Sequence, residues 1–387
     1  MKEGWRMVKL GEIVSFSQGV QVPLSEQKTD MLEGYSRFLR IVDYTQGNEP
    51  PRYIKINDDK YRVSEKDIAI VRYGTPGFVC RGLSGVIANN LFKINIDNKN
   101  FIDVDYLAYV LKSDIFQKTV KKKQNGAALQ AITFGTIKEI PIPYPILIEK
   151  QHRIVSILDA SFEKIDALKK NAEENLKNAK ALFQQVLAQE LKPKEGWVEK
   201  KLGEIYDVRD GTHDSPKYHS EGYPLVTSKN LKENGLDLSN VKYIKEEDFH
   251  AINTRSKVNI GDILFAMIGT IGNPVIVREE PNYAIKNMAL FKVDNNNSSD
   301  FLRYYLLLSI EKMRKESNGT TQKFVSLNYL RNFGISLPSL SEQHRIVRTL
   351  DTLSEKCRRL EQVAQQTIRE CDALKQSILR QAFSGEL

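Results

Sequence analysis

Gln151 His152 Arg153 Ile154 Val155 opens a stretch of about forty residues with helical periodicity, and Gln343 His344 Arg345 Ile346 Val347 opens a second. The separation, 343 − 151, is 192 residues. The same separation relates Lys2 Glu3 Gly4 Trp5 to Lys194 Glu195 Gly196 Trp197, and Lys9 Leu10 Gly11 Glu12 Ile13 to Lys201 Leu202 Gly203 Glu204 Ile205. It also relates Ala181, Leu182, Gln184 and Leu187 to Ala373, Leu374, Gln376 and Leu379. A fixed period sustained along the chain marks a tandem duplication.

The two stretches carry heptads. From Ile154, alternating steps of four and three meet Leu158, Ile165, Leu168, Ala172, Ala179, Leu182 and Val186. From Ile346 they meet Leu350, Leu353, Cys357, Leu360, Ala364, Cys371, Leu374 and Ile378. Such a repeat predicts a coiled-coil seam, in which Ile154, Leu158, Ile165, Leu168, Leu182, Ile346, Leu350, Leu353, Leu360 and Leu374 face a partner helix. Asn175 and Thr367, at equivalent positions, and Ser161 would be polar members that fix register. The alternative is a pair of helices buried in a globular core. Lys169, Lys170, Glu173 and Glu174 argue against it, because a fully buried helix cannot accommodate such a charged flank.

Boundary signals agree. Ser339 and Glu342 form a capping-box pattern, Pro141, Pro143 and Pro145 precede the first helix, and Pro193 follows it, where proline cannot continue a helix. Forty residues of helix would span roughly 60 Å, a spacer's length. The expected domains are 1–148 and 193–340, each globular, with spacer helices at 149–192 and 341–387.

The chain has 387 residues, enough for two or three folded units. Its content of 41% hydrophobic and 9% aromatic residues can build real cores, and no apolar run approaches a membrane span. The opening residues carry no signal-peptide apolar segment. Three cysteines, two of them on heptad positions, favour a reducing cytoplasm over a disulfide framework. The formal charge of +8 favours an anionic partner, nucleic acid first and membrane surface second.

Outside the helices, turn-separated β-branched and aromatic runs predict strands at Phe38 to Val42, Tyr53 to Ile56, Asp67 to Tyr73, Gly85 to Ala88 and Leu91 to Ile96. A helix is predicted over Asp105 to Lys122. The second copy keeps this plan, with a helix over Asp300 to Glu316, but changes the connecting loops.

No catalytic constellation emerges. Gly269 Thr270 Ile271 Gly272 lacks the spacing and lysine of a P-loop, and Asn48 Glu49 Pro50 Pro51 Arg52 Tyr53 is a broken form of the adenine methyltransferase motif, best read as a turn. His213, His219 and His250 have no counterparts in the first copy and no metal-site spacing. Binding remains. Lys and Arg engage phosphates, while Asn, Gln, Ser and Thr on loops contact base edges. Candidate DNA-binding residues in the first copy are Arg72, Tyr73, Arg81, Lys123, Asn125, Gly126 and Gln130. In the second they are Thr212, His213, Ser228, Lys229, Asn230, Asn318, Gly319, Thr320, Gln322 and Lys323. Any one of them could equally be an ordinary solvated loop residue.

The order of these features resembles, over the whole chain, the specificity subunits of Type I restriction-modification systems. The resemblance is carried by the Trp5 to Ile13 and Trp197 to Ile205 openings and by Asp210 Gly211 Thr212 His213. Gly261 Asp262 Ile263 Leu264 with Gly269 Thr270 Ile271 Gly272, and the two glutamine-initiated helices, complete it. It implies an α+β fold of two tandem target recognition domains with twisted, mainly antiparallel sheets. Two long helices forming an antiparallel coiled coil would join them with pseudo-twofold symmetry. It further implies a non-catalytic subunit that binds double-stranded DNA, each domain reading one half of a bipartite asymmetric site. The helices would set the gap and dock two methyltransferase (M) subunits, with restriction (R) subunits completing the complex. S-adenosylmethionine, ATP and Mg would belong to those partners, and no cofactor or metal to this chain. The competing readings are a basic coiled-coil scaffold for protein or membrane surface, a single-chain restriction-modification enzyme, whose motifs are missing, and a sequence-blind DNA-binding adaptor.

Overall fold

The two glutamine-initiated patterns are continuous helices, Ile148–Glu190 and Leu340–Ser384, in the computed structural model. It describes the chain apart from residues 1–2, 48, 57, 98–100, 125–130, 234 and 318–322, and apart from the side chains of Lys123 and Gln124. Ser339 lies at the start of the second helix, its carbonyl accepting from the Gln343 amide at 2.9 Å and its hydroxyl from the Glu342 amide at 3.4 Å.

The chain divides into two compact units: Met1–Glu173 with Gln365–Leu387, and Glu174–Ala364. Each unit thus takes part of both long helices. In the first, Lys169 pairs with Asp372 at 2.7 Å and Lys375 with Asp166, so one helix rises as the other descends. In the second, Arg345 at the start of one helix bonds Glu190 at the end of the other at 2.8 Å.

The repeated glutamine explains itself. Gln151 and Gln343 are buried, and a buried amide is stable only when its donors and acceptor are matched. Gln151 Oε1 accepts from the Asp103 amide at 2.9 Å, and its Nε2 donates to the Pro145 carbonyl at 3.0 Å and the Phe101 carbonyl at 3.1 Å. Asp103 in turn caps the helix Val104–Lys112 through the Tyr106 amide. In the second unit Gln343 Oε1 accepts from the Ser298 amide at 2.9 Å and Nε2 donates to the Pro338 carbonyl at 3.1 Å, while Ser298 caps the helix Ser299–Lys315. Two turns along each long helix a second link follows, from Tyr109 to Asp159 and from Tyr304 to Asp351.

Both units are closed by a two-stranded sheet joining first strand to last: Trp5–Lys9 with Pro141–Pro145, and Val198–Lys201 with Gly334–Leu337. A strand with three prolines is tolerated because it lies at an edge. The glycine of each Lys-Leu-Gly-Glu-Ile segment lies against the opposite connection. A Cβ on Gly11 would stand 2.6 Å from Lys138 Cβ, and one on Gly203 3.0 Å from the Arg331 carbonyl oxygen.

The main sheet has one topology in both units. In the first its order is Val14–Gln18, Leu91–Ile96, Ile68–Val71, Val79–Cys80, and in the second Asp207–Asp210, Met288–Lys292, Ile263–Ala266, Gly272–Ile276, all antiparallel. A smaller sheet contains one parallel pair in each, Ser36–Leu39 with Gly85–Ile87 and Tyr223–Val226 with Ala284–Ile285. The inner face of each main sheet packs on the capped helix and the long helices, as Phe92, Tyr106, Leu158 and Phe383 in the first unit and Phe291, Phe301, Leu187 and Leu350 in the second. Cys80, Cys357 and Cys371 are buried free thiols, and burial pushes Cys80 up to about 12. Among the described residues no helix is long and apolar enough to cross a membrane.

Three expectations change. The strand expected over Phe38 to Val42 stops at Leu39, because Asp43 accepts from the Arg40 amide at 2.7 Å and starts the short helix Ile41–Thr45. The single helix expected over Asp105 to Lys122 is two, Val104–Lys112 and Asp114–Gln124. Extended Ser113 breaks it, its hydroxyl donating to the Val110 carbonyl at 2.6 Å. The seam also differs in phase. Ile154, Leu158, Ile165, Ile346 and Leu350 are buried, and Leu353 and Thr367 half-buried. Leu168, Leu182, Leu360 and Leu374, however, are 55%, 45%, 54% and 48% exposed, and Asn175 is exposed. The residue one further on, Lys169, Leu176 or Phe183, is half-covered instead, while Ser161 and its neighbour Phe162 are both half-buried. Small residues, Ala172, Ala179, Cys357, Ala364 and Cys371, occupy the buried stations. The half-covered position thus falls four residues after a buried one rather than three, as Lys169 after Ile165, Leu176 after Ala172 and Phe183 after Ala179.

Replacing Gln151 or Gln343 with alanine leaves a backbone donor and carbonyl unmatched in a dry site, so each change is expected to destabilise its own unit by about 2–3 kcal/mol. Urea unfolding followed by hydrogen exchange, which resolves the two units, measures this. A loss below about 0.5 kcal/mol would show that the amides are dispensable.

Candidate nucleic-acid interface

Among the described residues, the second-unit candidates Thr212 and His213 directly follow one glycine. Gly211 follows the strand Asp207–Asp210, and a Cβ there would meet the Ile285 carbonyl oxygen at 2.4 Å. The close crossing is held by bonds from the Gly211 amide to the Met288 carbonyl and from the Thr212 amide to the Ile285 carbonyl, both 3.0 Å. It carries His213 to Asn287, whose Oδ1 lies 2.9 Å from Nδ1, while Nε2 lies 2.8 Å from Asp210 Oδ2. Arg255 holds the other oxygen of Asp210 at 3.2 Å. The imidazole is therefore fixed in orientation yet 58% exposed.

A cleft of about 1100 Å³ opens beside this crossing, with Thr227, Ser228, Lys229, Asn230, Lys232, Lys242, Gly269, Thr270, Asn273 and Asn287 among its lining residues. Asn273 and Asn287 hold φ of 49° and 54°, a left-handed conformation that asparagine tolerates better than most residues. Three lysines face a single carboxylate, Asp237, which the hydroxyl and amide of Ser239 hold below the usual carboxylate range. Polar, electropositive and open, the cleft suits a polyanion with hydrogen-bonding edges better than an apolar small molecule.

The candidates differ in what they are free to do. Lys229 is exposed. Asn230 is buried and committed: its Oδ1 accepts from the Thr227 amide and hydroxyl, and its Nδ2 donates to the carbonyls of Asp237 and Asn240. It shapes the turn Ser228–Asn230 and has nothing left for a ligand. Ser228 reaches the Asn287 carbonyl at 3.4 Å, and the exposed Thr212 hydroxyl accepts from the Asp214 amide at 3.2 Å. Lys323 is exposed, its carbonyl accepting from Gly269 at 3.0 Å, which puts it beside the cleft wall.

In the first unit Arg81 is anchored within the fold, pairing with Asp105 at 2.7 Å and the Lys66 carbonyl at 2.8 Å. Arg72 lies over the Phe92 ring at 5.7 Å, and its neighbour Tyr73 is exposed. Lys123 lies in the last turn of the helix Asp114–Gln124. Asn125, Gly126, Gln130, Asn318, Gly319, Thr320 and Gln322 lie outside the described residues. The structure adds Gln21, Asn89, Asn273 and Asn287, absent from the sequence candidates. A signal existed for the first: Gln21 stands 192 residues before His213. Among the described residues no group of His, Cys, Asp and Glu could hold a metal ion.

Comparison with known proteins identifies the class. The model of the Type I restriction modification DNA specificity domain matches residues 2–178 and again 194–370. The chain belongs to that family. It is 22% identical, over all of its own length and 86% of the relative's, to the Type I restriction enzyme EcoBI specificity subunit of Escherichia coli. It is 23% identical to the MjaIX specificity subunit of Methanocaldococcus jannaschii, over 76% of this chain and 73% of that one. In fold it is similar to a chain from a solved structure of type I R-M complex assembly and conformational transition, with a TM-score of 0.80 at 21% identity, covering 100% and 99% of the two chains. The HsdS subunit from Thermoanaerobacter tengcongensis gives 0.58 at 22% identity, over 100% and 98%.

Because Asn230 spends its amide inside the fold, Asn230→Ala is expected to lower the stability of the second unit by about 2–3 kcal/mol. Thermal unfolding of the purified chain checks this, and an unchanged melting temperature would place the side chain outside the turn's framework.

Proposed function

We propose that this chain is the DNA-reading, non-catalytic subunit of a Type I restriction-modification complex. Each globular unit reads one half of a bipartite, asymmetric site in double-stranded DNA. The observation that carries this reading is the contrast between a duplicated scaffold and its unmatched tips: the same buried glutamine, edge strand and glycine crossing recur, while Gln21 stands in one unit where His213 stands in the other. Two identical readers would need a symmetric site, and a scaffold protein would need no such divergence.

Functionally we divide the chain into recognition domains 1–148 and 193–340 and spacer helices 149–192 and 341–387. The phase of the seam supports a docking role for the helices. Leu168 with Leu360, and Leu182 with Leu374, are exposed leucines at repeat-related positions, since 360 − 168 and 374 − 182 both equal 192. Exposed large apolar side chains recurring in this way fit two copies of one partner, and we assign them to two methyltransferase (M) subunits. Restriction (R) subunits would join that assembly. S-adenosylmethionine, ATP and Mg would be bound by those partners, and the assembly would work in the cytoplasm. Among the DNA-contact candidates, Lys229, Lys323, Arg72, Tyr73, Thr212, Ser228 and His213 are best placed, whereas Arg81 and Asn230 act as supports.

A genome-wide map of N6-methyladenine in cells carrying the chain with its neighbouring methyltransferase is expected to show a bipartite motif with a fixed gap, lost on deleting only this chain. An unchanged map would overturn the reading. Adding one heptad to each long helix lengthens it by roughly 10 Å, about three base pairs, and is expected to widen the gap while leaving both half-sites intact. A changed half-site in that variant would remove the helices as the spacer.

A further inference from the structure

The glycine crossing occurs in both units, and in both it delivers a matched pair of polar side chains to the same place. In the first unit a Cβ on Gly19 would stand 2.2 Å from the Ala88 carbonyl oxygen, and the Gly19 and Val20 amides bond the Leu91 and Ile87 carbonyls at 3.0 Å. Those bonds mirror the ones from Gly211 and Thr212 to Met288 and Ile285. Two residues past the glycine comes Gln21, as His213 follows Gly211, and each meets an asparagine that precedes the central strand. Gln21 Oε1 accepts from Asn89 Nδ2 at 3.2 Å, where His213 faces Asn287 at 2.9 Å.

The main chain at this point is fixed and the side chains are not alike. Gly19 and Gly211 are buried with no space for any other residue, while Gln21 and His213 are exposed. The amide pair of the first unit holds one internal hydrogen bond, which leaves Gln21 Nε2 as a donor and Asn89 Oδ1 as an acceptor. Adjacent donor and acceptor groups on amides match the major-groove edge of adenine. In the second unit Asp210, itself held by Arg255, locks the imidazole, and Asn287 lines the polar cleft, which puts His213 beside a cleft residue. The structure assigns Gln21 with Asn89, and His213 with Asn287, as equivalent specificity-determining pairs, each discriminating base pairs within the half-site of its own unit. This rests on the DNA-reading function proposed above.

The test uses the full chain with its methyltransferase partner, comparing methylation maps and competition binding on duplexes in which single base pairs are varied. Gln21→Ala with Asn89→Ala is expected to reduce discrimination at one or two base pairs of one half-site by roughly five- to a hundredfold, leaving the other half-site unchanged. His213→Ala with Asn287→Gly is expected to do the same in the other half only. Gly at 287 preserves the left-handed backbone. The conservative variants Gln21→Glu and Asn89→Asp guard against a folding defect, and each is expected to alter the preferred base. Both motifs surviving unaltered at full methylation in every variant would overturn the assignment. So would loss of all methylation in the alanine variants with an unaltered motif in the conservative ones, since the pairs would then be structural. Failure of the underlying function looks different: the wild-type chain itself would then direct no bipartite motif.

Discussion

Two buried amides, Gln151 and Gln343, tie together three segments that are far apart in sequence. Each joins the first turn of a long helix to the cap of a shorter helix and to the end of the last strand. The strand position fixes the closing sheet, the cap fixes the helix under the main sheet, and the main sheet carries the glycine crossing at its edge. A hydrogen bond at one end of a unit therefore sets the frame for side chains at the other. Among short polar residues only glutamine has both a donor and an acceptor on a stem long enough to reach two main-chain segments, which accounts for its recurrence at the same register in both copies.

Electrostatics plays a narrower part than the net charge suggests. Many of the basic residues are matched within the fold: Arg81 with Asp105, Arg278 with Asp300, Arg345 with Glu342 and Glu190, Lys292 with Asp262. Such pairs position loops and add little affinity for a distant polyanion. Lys229, Lys232 and Lys242 are brought together on one polar cleft, with Lys242 over the Tyr218 ring at 4.9 Å. Attraction would come from these lysines and orientation from the locked imidazole and amides nearby.

Much of the architecture was legible in the letters. The repeat of 192 shows when the letters are laid against themselves, and the helix lengths, the caps and the alternation of strands follow from local rules, because each of these is decided by residues within one or two turns of each other. The seam phase was not legible: the heptad letters favour Leu168, whereas in the structure Lys169 is the half-covered residue and pairs across to Asp372 on the other helix, a partner 203 residues away. Ser113 likewise ended a helix that every neighbouring residue would have continued. The pairing of Gln21 with Asn89 spans a sequence separation of 68, so nothing in either neighbourhood announces it. Asn230 shows the converse, since a polar residue on a predicted loop turned out to be fully used by its own turn.

The division of the chain has a consequence for synthesis. The first unit takes its final piece from Gln365–Leu387, and Leu379, Ala382 and Phe383 belong to its core, with Phe383 edge-on to Tyr106 at 5.5 Å. A ribosome makes the whole of the second unit before it makes those residues. The nascent first unit must therefore wait with the face of Tyr106 that meets Phe383 uncovered, and a helix made after the second unit completes the domain that was begun first. Premature termination within the second helix before Ala364 would leave both units unfinished, and termination beyond it would leave the second unit whole and the first incomplete.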